Sequence, residues 1–479
     1  MSVIKFLEKC VEKHPTKLAV VDDDRCLTFR ELYQKVQNFS SAISTLNKKN
    51  VLSLSSENSI SFIVAYLGII NSGKIAHLLQ PEISENNLLK QTRSSDSGAI
   101  ICSEVVKKNL AKYSSIKIPI LQFNEISSEA NQGKTDFVTN DFAYLIYTSG
   151  TTAEPKGVAI SHTMIEFTTK NIVNVLRYSD SDIDILPLPL YHSFGLGCFH
   201  TSLCVGSTLV LLKNANDLEQ VLKSLKRHHA TTLAATPATL TKFLKFDRKV
   251  LEEYFTNIRL IITNSTPIPK NTVQSFKKIL KNGHLATYYG LTEASRSTFM
   301  IFDETNDREE SVGRVAPGVQ IRIINEKQDQ SKLGEIWIKG NNVIKKYWNN
   351  TEANKNIVEG WLRTGDVGYF DDQNYLFLKG RIDDIINVGG EKVTPYEIEE
   401  VVKQISGVED VAAFGIPHEI FGQVIKLNVI KSKDSDLDKS KILAHCIKNL
   451  EKFKIPTKID FVESIPKTDY GKVKRFMLK

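Results

Sequence analysis

The sequence predicts an α/β fold: a large N-terminal domain of parallel-type sheets, a β-rich subdomain and a small α+β domain at the C-terminus. Three observations lead to this prediction. Apolar strand-like runs alternate with helical patterns up to about residue 310. Short strands separated by turns follow, and past residue 380 a further helix and strand pattern is long enough for its own core. A chain of 479 residues also exceeds what one compact core usually holds.

The N-terminal part alternates between two hydrophobic periods. Runs typical of buried strands occur at 17–21, 51–54, 98–102, 142–147, 207–212, 231–235 and 258–263. Helical patterns lie between them, as at 59–72 and 217–228. This alternation favours largely parallel sheets covered by helices.

The C-terminal part changes in texture. The runs VQIRII, GEIWIKG and NYLFLKG are short and bounded by turn residues, which predicts the β-rich region. Beyond it we expect helices at 395–404 and 439–451, and strands at 411–415, 424–430 and 459–462. These elements suffice for a separate small domain.

Composition narrows the function classes. No apolar stretch approaches 18 residues, so no membrane span is expected, and Ile4, Leu7 and Val11 predict an amphipathic helix rather than a signal peptide. The six cysteines form no CxxC pair, which favours a reducing cytoplasm over a disulfide framework. The net charge is +7, and residues 431–479 hold 13 Lys/Arg against 7 Asp/Glu. No nucleic-acid motif accompanies this charge, so a nucleic-acid partner is not expected.

The segment YTSGTTAEPKG, residues 147–157, has the composition of a loop that binds a polyanion. Its glycines let backbone N–H groups converge, its hydroxyls add donors and Lys156 adds charge. A short strand at 158–161 follows, and then a capping-box pattern at 163–166 that predicts a helix start. A Walker loop joins a strand directly to a helix, so this loop is a different phosphate grip. Composition alone leaves a plain polar hairpin loop equally open.

Five segments together resemble the ANL superfamily of adenylate-forming enzymes. They are YTSGTTAEPKG, YYGLTEAS (288–295), RTGD (363–366), GRIDDIINVGGEKVTPYEIE (380–399) and PKTDYGKVKR (466–475). They occur in the family order and span essentially the whole chain. The resemblance implies an AMP-binding N-terminal domain over 1–380 and a mobile C-terminal domain over 381–479, with a hinge at Asp383. Two departures are Ala153, where relatives usually carry glycine, and Thr263–Pro267, where they often have a glycine-rich sequence.

The resemblance also implies a nucleotide site for ATP and Mg²⁺. Residues implied to bind the phosphates are Thr148, Ser149, Gly150, Thr151, Thr152 and Lys156. Glu293 would hold Mg²⁺ together with Thr152, and Thr292 would contact the α-phosphate. Tyr289 would stack on adenine, with Tyr288 as a packing aromatic. Asp366 would accept hydrogen bonds from the ribose hydroxyls, and Arg381 would lie near the same ribose.

Two further sets of residues are implied for the acid and the thiol. Lys472 would reach the α-phosphate and the carboxylate during adenylation. The small domain would then rotate and present Gly389 and Gly390 to a pantetheine arm, whose thiol expels AMP. His192 would lie at the carboxylate end of an apolar or aromatic acid pocket. Residues 188–196 contain no carboxylate to hold an ammonium, which argues against an amino acid substrate.

The predicted function is therefore an AMP-forming acid–thiol ligase, an acyl-CoA synthetase. The predicted acid is a monocarboxylic acid with an uncharged tail, either a medium-chain fatty acid or an acid with one ring. The thiol belongs to coenzyme A or, as an alternative, to the phosphopantetheine of an acyl carrier protein. A non-catalytic member that binds nucleotide or acyl groups stays open as the other alternative, because of Ala153 and the Thr263–Pro267 segment.

Overall fold

The computed structural model describes residues 3–23, 25–46, 49–126, 140–148, 155–302, 308–325, 333–433, 435–467 and 473–478. The chain divides into two compact units by its internal contacts. Unit 1 comprises Met1–Gln320 with Ile338–Leu362, and unit 2 comprises Ile321–Trp337 with Arg363–Lys479. The predicted boundary between residues 380 and 381 stays a prediction.

The helices and strands follow one another with short connections. The α-helices are α1 Ile4–Lys13, α2 Phe29–Leu46, α3 Ile60–Asn71, α4 Glu85–Ser95, α5 Glu104–Leu110, α6 His162–Leu176, α7 Ser193–Val205, α8 Leu218–Arg227, α9 Pro237–Phe243, α10 Arg248–Tyr254, α11 Lys270–Ile279, α12 Thr351–Asn354, α13 Pro395–Lys403 and α14 Lys439–Asn449. The strands up to residue 301 are β1 Leu18–Asp22, β2 Arg25–Thr28, β3 Val51–Ser55, β4 Ile75–Leu79, β5 Ser97–Cys102, β6 Ile120–Gln122, β7 Phe142–Thr148, β8 Lys156–Ser161, β9 Ile183–Leu186, β10 Thr208–Leu211, β11 Thr232–Ala234, β12 Leu260–Thr263, β13 His284–Leu291 and β14 Ala294–Ile301. The later strands are β15 Ser311–Val315, β16 Val319–Ile324, β17 Gly334–Gly340, β18 Tyr347–Trp348, β19 Ile357–Val358, β20 Trp361–Phe370, β21 Leu376–Arg381, β22 Ile386–Val388, β23 Glu391–Val393, β24 Val408–His418, β25 Gly422–Lys431 and β26 Lys458–Phe461.

Unit 1 is built on two sheets with parallel centres. In one, the strand order is β15-β14-β13-β12-β11-β9-β10-β1-β2, and in the other it is β18-β8-β7-β4-β3-β5-β6. The central pairs are parallel, such as β12 with β13 and β3 with β4, whereas the β7–β8 and β13–β14 pairs are antiparallel hairpins. All residues of β3, β4 and β5 are buried, as expected for parallel strands covered on both faces.

Polar side chains fix the start of the helices that follow these strands. Ser59 accepts a hydrogen bond from the backbone N–H of Phe62 and so caps α3. Ser161 caps α6 in the same way, by accepting from the N–H of Met164 at 3.2 Å. The capping box predicted at 163–166 is therefore wrong by two positions, because the last residue of β8 already supplies the cap.

Unit 2 contains a small sheet with helices against it. Its strand order is β23-β22-β25-β24, and β26 pairs with β25. The α13 and α14 helices contribute Ile398, Val402, Ile442 and Cys446 to one buried cluster with this sheet. Four other strands, β16, β17, β20 and β21, are not part of this small sheet. They are hydrogen-bonded side by side in that order.

The predicted fold class is confirmed. Mixed α/β architecture, parallel-centred sheets and a compact C-terminal α+β region are all present. None of the described helices combines the length and the apolar character that crossing a bilayer requires.

Candidate active site

The hairpin of β7 and β8 places two of the predicted phosphate-binding residues. Thr148 is the last residue of β7 and pairs with Lys156, the first residue of β8. The predicted loop therefore does join two strands. Ser149, Gly150, Thr151 and Thr152 lie outside the described residues, so their roles remain predictions. This pairing holds both ends of the loop together at one end of the β7–β8 hairpin.

Thr292 and Glu293 form the tip of the next hairpin. Leu291 pairs with Ala294, so these two residues are the whole turn between β13 and β14. The carbonyl oxygen of Glu293 accepts a hydrogen bond from the N–H of Ile344 at 2.9 Å. The Tyr347 hydroxyl donates to the Glu293 carboxylate at 3.3 Å. The position of this carboxylate is thus fixed by its backbone and its side chain.

The Glu293 side chain suits the magnesium ion that the family implies. Magnesium prefers hard oxygen ligands and is usually held by one or two carboxylates together with substrate phosphates. A dedicated protein cage is then not needed, and the described residues contain no group of three metal-ligating side chains. Glu293 fits as the protein ligand of an ion that also contacts nucleotide phosphates.

The two tyrosines before this turn point to opposite faces of β13, since side chains alternate along a strand. Tyr288 packs edge-on against Phe194, with ring centroids 5.7 Å apart, and lies under the guanidinium of Arg296 at 5.0 Å. This geometry suits the packing role predicted for Tyr288. Tyr289 is 6% exposed, and its stacking on adenine stays a prediction.

His192 precedes α7 and is held in place by its backbone. Its N–H donates to Pro189 O at 3.3 Å, and its carbonyl oxygen accepts from the N–H of Leu196. A Cβ on Gly195, in the first turn of α7, would lie 2.3 Å from Pro189 O, so glycine is needed there. Burial lowers the pKa of His192 to about 4. The imidazole is therefore neutral at physiological pH and can act as a hydrogen-bonding or packing group, but not as a cation.

The Thr263–Pro267 segment, which departs from the family, has an unusual backbone. Ser265 has a φ of 96°, a conformation that L-residues rarely adopt. The Asn264 amide donates to Tyr288 O at 2.8 Å, which ties the segment to β13. Elsewhere in unit 1, Thr236 accepts a hydrogen bond from the N–H of Thr239 and so caps α9.

Replacing Ser265 with glycine should therefore stabilise the protein. Glycine adopts positive φ without the steric cost, so we expect a gain of about 1 kcal/mol in the free energy of unfolding. Thermal unfolding of Ser265→Gly beside Ser265→Ala measures this directly. A glycine variant that is no more stable than the alanine variant would contradict the strain at this position.

Asp366 and Arg381 are brought together in unit 2. They are directly opposite each other on β20 and β21, and Arg381 Nη1 lies 2.8 Å from Asp366 Oδ1. Asp366 is 9% exposed. Gly365 has a φ of 70°, and a Cβ there would lie 2.8 Å from Arg381 Nη2. Gly365 lies within β20, and its positive φ favours glycine at this position of RTGD.

Asp366→Ala should weaken ATP binding by about 10- to 100-fold, the usual worth of hydrogen bonds to a charged group. Asp366→Asn keeps one acceptor oxygen and should lie between the two. ATP titrations measure the effect, and thermal unfolding of both variants controls for loss of the Arg381 ion pair. Unchanged ATP titrations with a lowered unfolding temperature would show that RTGD is only structural here.

Gly389 and Gly390 form a two-residue turn between β22 and β23. Both have positive φ, 60° and 95°, as tight hairpin turns require. The N–H of Gly390 donates to Asn387 Oδ1 at 3.1 Å, and the N–H of Gly389 donates to Phe421 O at 2.9 Å. No atom lies within 4 Å of a Cβ placed on Gly390, so the backbone there is open to a narrow ligand.

Lys472 lies outside the described residues, and its role remains a prediction. Sequence reasoning also missed one residue of unit 1, the buried Arg296. It follows the YYGLTEAS segment directly, and a charged residue before the apolar run Phe299-Met300-Ile301 was the available signal.

Comparisons with known proteins cover the whole chain. A model of the AMP-binding enzyme family matches residues 7–348, and a model of the AMP-binding enzyme C-terminal domain matches residues 397–472. The chain is 29% identical to an oxalate–CoA ligase of Arabidopsis thaliana, over 98% of this chain and 96% of that protein. It is 28% identical to a long-chain-fatty-acid–CoA ligase of Haemophilus influenzae, over 100% and 94%.

Solved structures give the same picture. The o-succinylbenzoate CoA synthetase of Bacillus subtilis, in complex with its acyl-adenylate intermediate, superimposes with a TM-score of 0.90 at 26% identity, covering 99% of this chain and 97% of that one. The same protein with ATP and a magnesium ion gives a TM-score of 0.89 at 26% identity, with coverages of 99% and 98%.

Proposed function

We propose a reaction from the premise that this chain belongs to the AMP-binding enzyme family: it joins a carboxylic acid to the thiol of coenzyme A by way of an acyl-adenylate. The chain is an AMP-forming acid–thiol ligase. The observation that carries the proposal is the match of both family models, in order, along one chain.

In the first half-reaction, a carboxylate oxygen of the acid attacks the α-phosphorus of ATP. The bond from that phosphorus to the bridging oxygen breaks, and pyrophosphate leaves. Both reactants are anionic, so catalysis consists mainly of positioning and charge neutralisation. Thr148 and Lys156 would hold the leaving phosphates, and Thr292 the α-phosphate. Glu293 would bind magnesium, which supplies charge neutralisation when bound.

In the second half-reaction, the pantetheine sulfur attacks the acyl carbon of the adenylate. The carbon–oxygen bond to AMP breaks, AMP leaves and the thiol proton is lost. The open backbone at Gly389 and Gly390 supports a role in passing the narrow pantetheine arm. Asp366, supported by Arg381, would bind the ribose of the nucleotide. Lys472 would contribute positive charge to the first half-reaction only.

The acid is the least constrained part of the proposal. The names of the relatives include acids as different as oxalate and long-chain fatty acids. The prediction of an uncharged medium-chain or single-ring acid remains a prediction. It rests on the sequence of residues 188–196 and on the apolar and aromatic side chains there.

Pyrophosphate release across a panel of acids tests the function. The purified protein is given ATP and magnesium with fatty, aryl, dicarboxylic and amino acids, each with coenzyme A, with an acyl carrier protein and with neither. We expect acid-dependent pyrophosphate and AMP, with thioester formed on coenzyme A. Thioester on the carrier protein alone would assign the other thiol. Absence of pyrophosphate with every acid would contradict the ligase function.

A further inference from the structure

Arg296 is a buried cation that lacks a carboxylate partner among the described residues. Its side chain lies on β14 and is 4% exposed. Nη1 donates to Ser295 Oγ at 2.8 Å, and the guanidinium lies over the Tyr288 ring. Nε and Nη2 are both buried and have no hydrogen-bond partner. Two N–H groups on one edge of the guanidinium are therefore unsatisfied.

Arg259 shows which ligand the Nε and Nη2 atoms of an arginine bind in this protein. Arg259 donates from Nε to Asp182 Oδ1 at 2.7 Å and from Nη2 to Asp182 Oδ2 at 2.5 Å. This is the two-pronged fit between a guanidinium and a carboxylate. Arg296 presents the same pair of nitrogens with no such oxygen atoms facing them. Its hydrogen-bonding geometry is thus suited to a carboxylate from outside the described residues.

An unpaired charge in this position is costly. Burying an ion without a partner carries a large free-energy penalty, and a guanidinium keeps its proton and so keeps its charge. The ring face of Tyr288 offsets part of the penalty. The carboxylate of Asp184, which lies elsewhere on the same sheet, is already occupied by Ser202 and Ser207 at 2.6 Å each and by Thr232. It is therefore not a substitute partner.

Arg296 lines a small cavity next to the proposed reaction centre. Arg296 lines this cavity together with Thr292, Ser193, His200 and Gly197, and no described acidic side chain takes part. A Cβ on Gly197 would lie 1.9 Å from Arg296 Nη2, so glycine in α7 leaves the space that the guanidinium occupies. The cavity has room for about one water molecule, so a carboxylate enters it only by displacing lining side chains, and a short tail requires less displacement than a long alkyl chain.

We propose that the acid activated by this protein is a short dicarboxylic acid, and that Arg296 binds its second carboxylate through Nε and Nη2. This inference rests on the proposed ligase function. One carboxylate reacts with ATP near Thr292, while the other pairs with the buried guanidinium. An acid with an uncharged tail would leave Arg296 without its partner, so the arginine selects against it.

Matched acids of equal chain length test this selection. Pyrophosphate release is measured with succinate against butyrate and with glutarate against valerate, and with octanoate and benzoate for the uncharged alternative. We expect kcat/KM to be about 10- to 100-fold higher for the dicarboxylic acid of each pair, the range for a charge-assisted hydrogen bond. Arg296→Met should remove this preference, and Arg296→Lys should restore part of it.

Two controls separate selection from folding. Arg248→Met makes the same replacement at an exposed position on α10 and should leave the preference unchanged. ATP titrations of Arg296→Met should match those of the unmodified protein. Thermal stabilisation by glutarate, measured without ATP, reports on binding of the acid independently of turnover and should disappear in Arg296→Met.

The outcomes are distinct. Preference for octanoate or benzoate, unaltered by Arg296→Met, would overturn the dicarboxylate inference and leave the ligase function standing. If no acid is activated, the ligase function fails, and the glutarate stabilisation alone decides the binding inference. Stabilisation that is absent, or that persists in Arg296→Met, would overturn it.

Discussion

Replacing Lys472 with alanine should slow acyl-adenylate formation by about 10²- to 10³-fold, the usual effect of removing one charge-stabilising donor. Thioester formation from supplied acyl-adenylate should be largely intact. The reason is that, under the proposed function, the lysine would neutralise charge on the α-phosphate and the carboxylate in the first half-reaction only. Separate assays of the two half-reactions measure the difference.

Gly389→Trp should give the reverse pattern. Its side chain would occupy the open turn and lie against Phe421, whose ring carbon is 3.3 Å from a Cβ at this position. Gly389→Asn is the matched control, because asparagine tolerates positive φ and is common in such turns. It should retain most thioester formation. Equal loss of both half-reactions in Lys472→Ala and Gly389→Trp would contradict the separate roles.

Unit 1 should lose stability as the pH falls from 6.5 towards about 3. Burial lowers the pKa of His77 to about 3. Burial, together with the nearby charge of Arg296, lowers the pKa of His200 to about 3. The unfolded histidine has a pKa of about 6.5, so below this pH the unfolded chain binds protons that the folded chain does not. Each such histidine then costs about 1.4 kcal/mol of stability per pH unit. Stability is complete above pH 6.5 and falls as the pH falls.

Urea unfolding at several pH values measures this slope. His200→Gln keeps a group that can hydrogen-bond the Tyr66 hydroxyl, which lies 2.8 Å from His200 Nε2. We expect the variant to reduce the slope by about one proton, or about 1.4 kcal/mol per pH unit. His284→Gln is the control, because His284 is exposed at the start of β13. Equal slopes in both variants would show that His200 does not contribute to acid unfolding.

The architecture was predictable because hydrophobic periodicity is local. The fully buried strand β12 follows the apolar run Leu260-Ile261-Ile262 in the sequence, and the exposed and buried faces of α8 alternate at helical spacing. Prediction failed where a single polar side chain decides a boundary. Ser161 caps α6 two residues before the start that the capping-box pattern at 163–166 predicts.

The site was predictable to the extent that its residues lie within contiguous segments. Asp366 and Arg381 come from two such segments, and the structure pairs them directly. Arg296 could not be assigned in the same way, because its environment comes from other elements. Gly197 on α7 supplies its space and Tyr288 on β13 its ring contact. Neither contact can be inferred from the spacing of residues along the chain.

The two-residue turn at Thr292 and Glu293 fixes the number of residues in the β13–β14 hairpin. It restricts the types of residue there less tightly. Leu291 and Ala294 are paired across it, and side chains alternate between faces along the strand that follows. One inserted or deleted residue would reverse the face on which each later side chain of β14 lies. Arg296 would then turn away from Gly197 while Glu293 lost its backbone anchor at Ile344. Substitutions can accumulate here one at a time, whereas an insertion or deletion disrupts both features together.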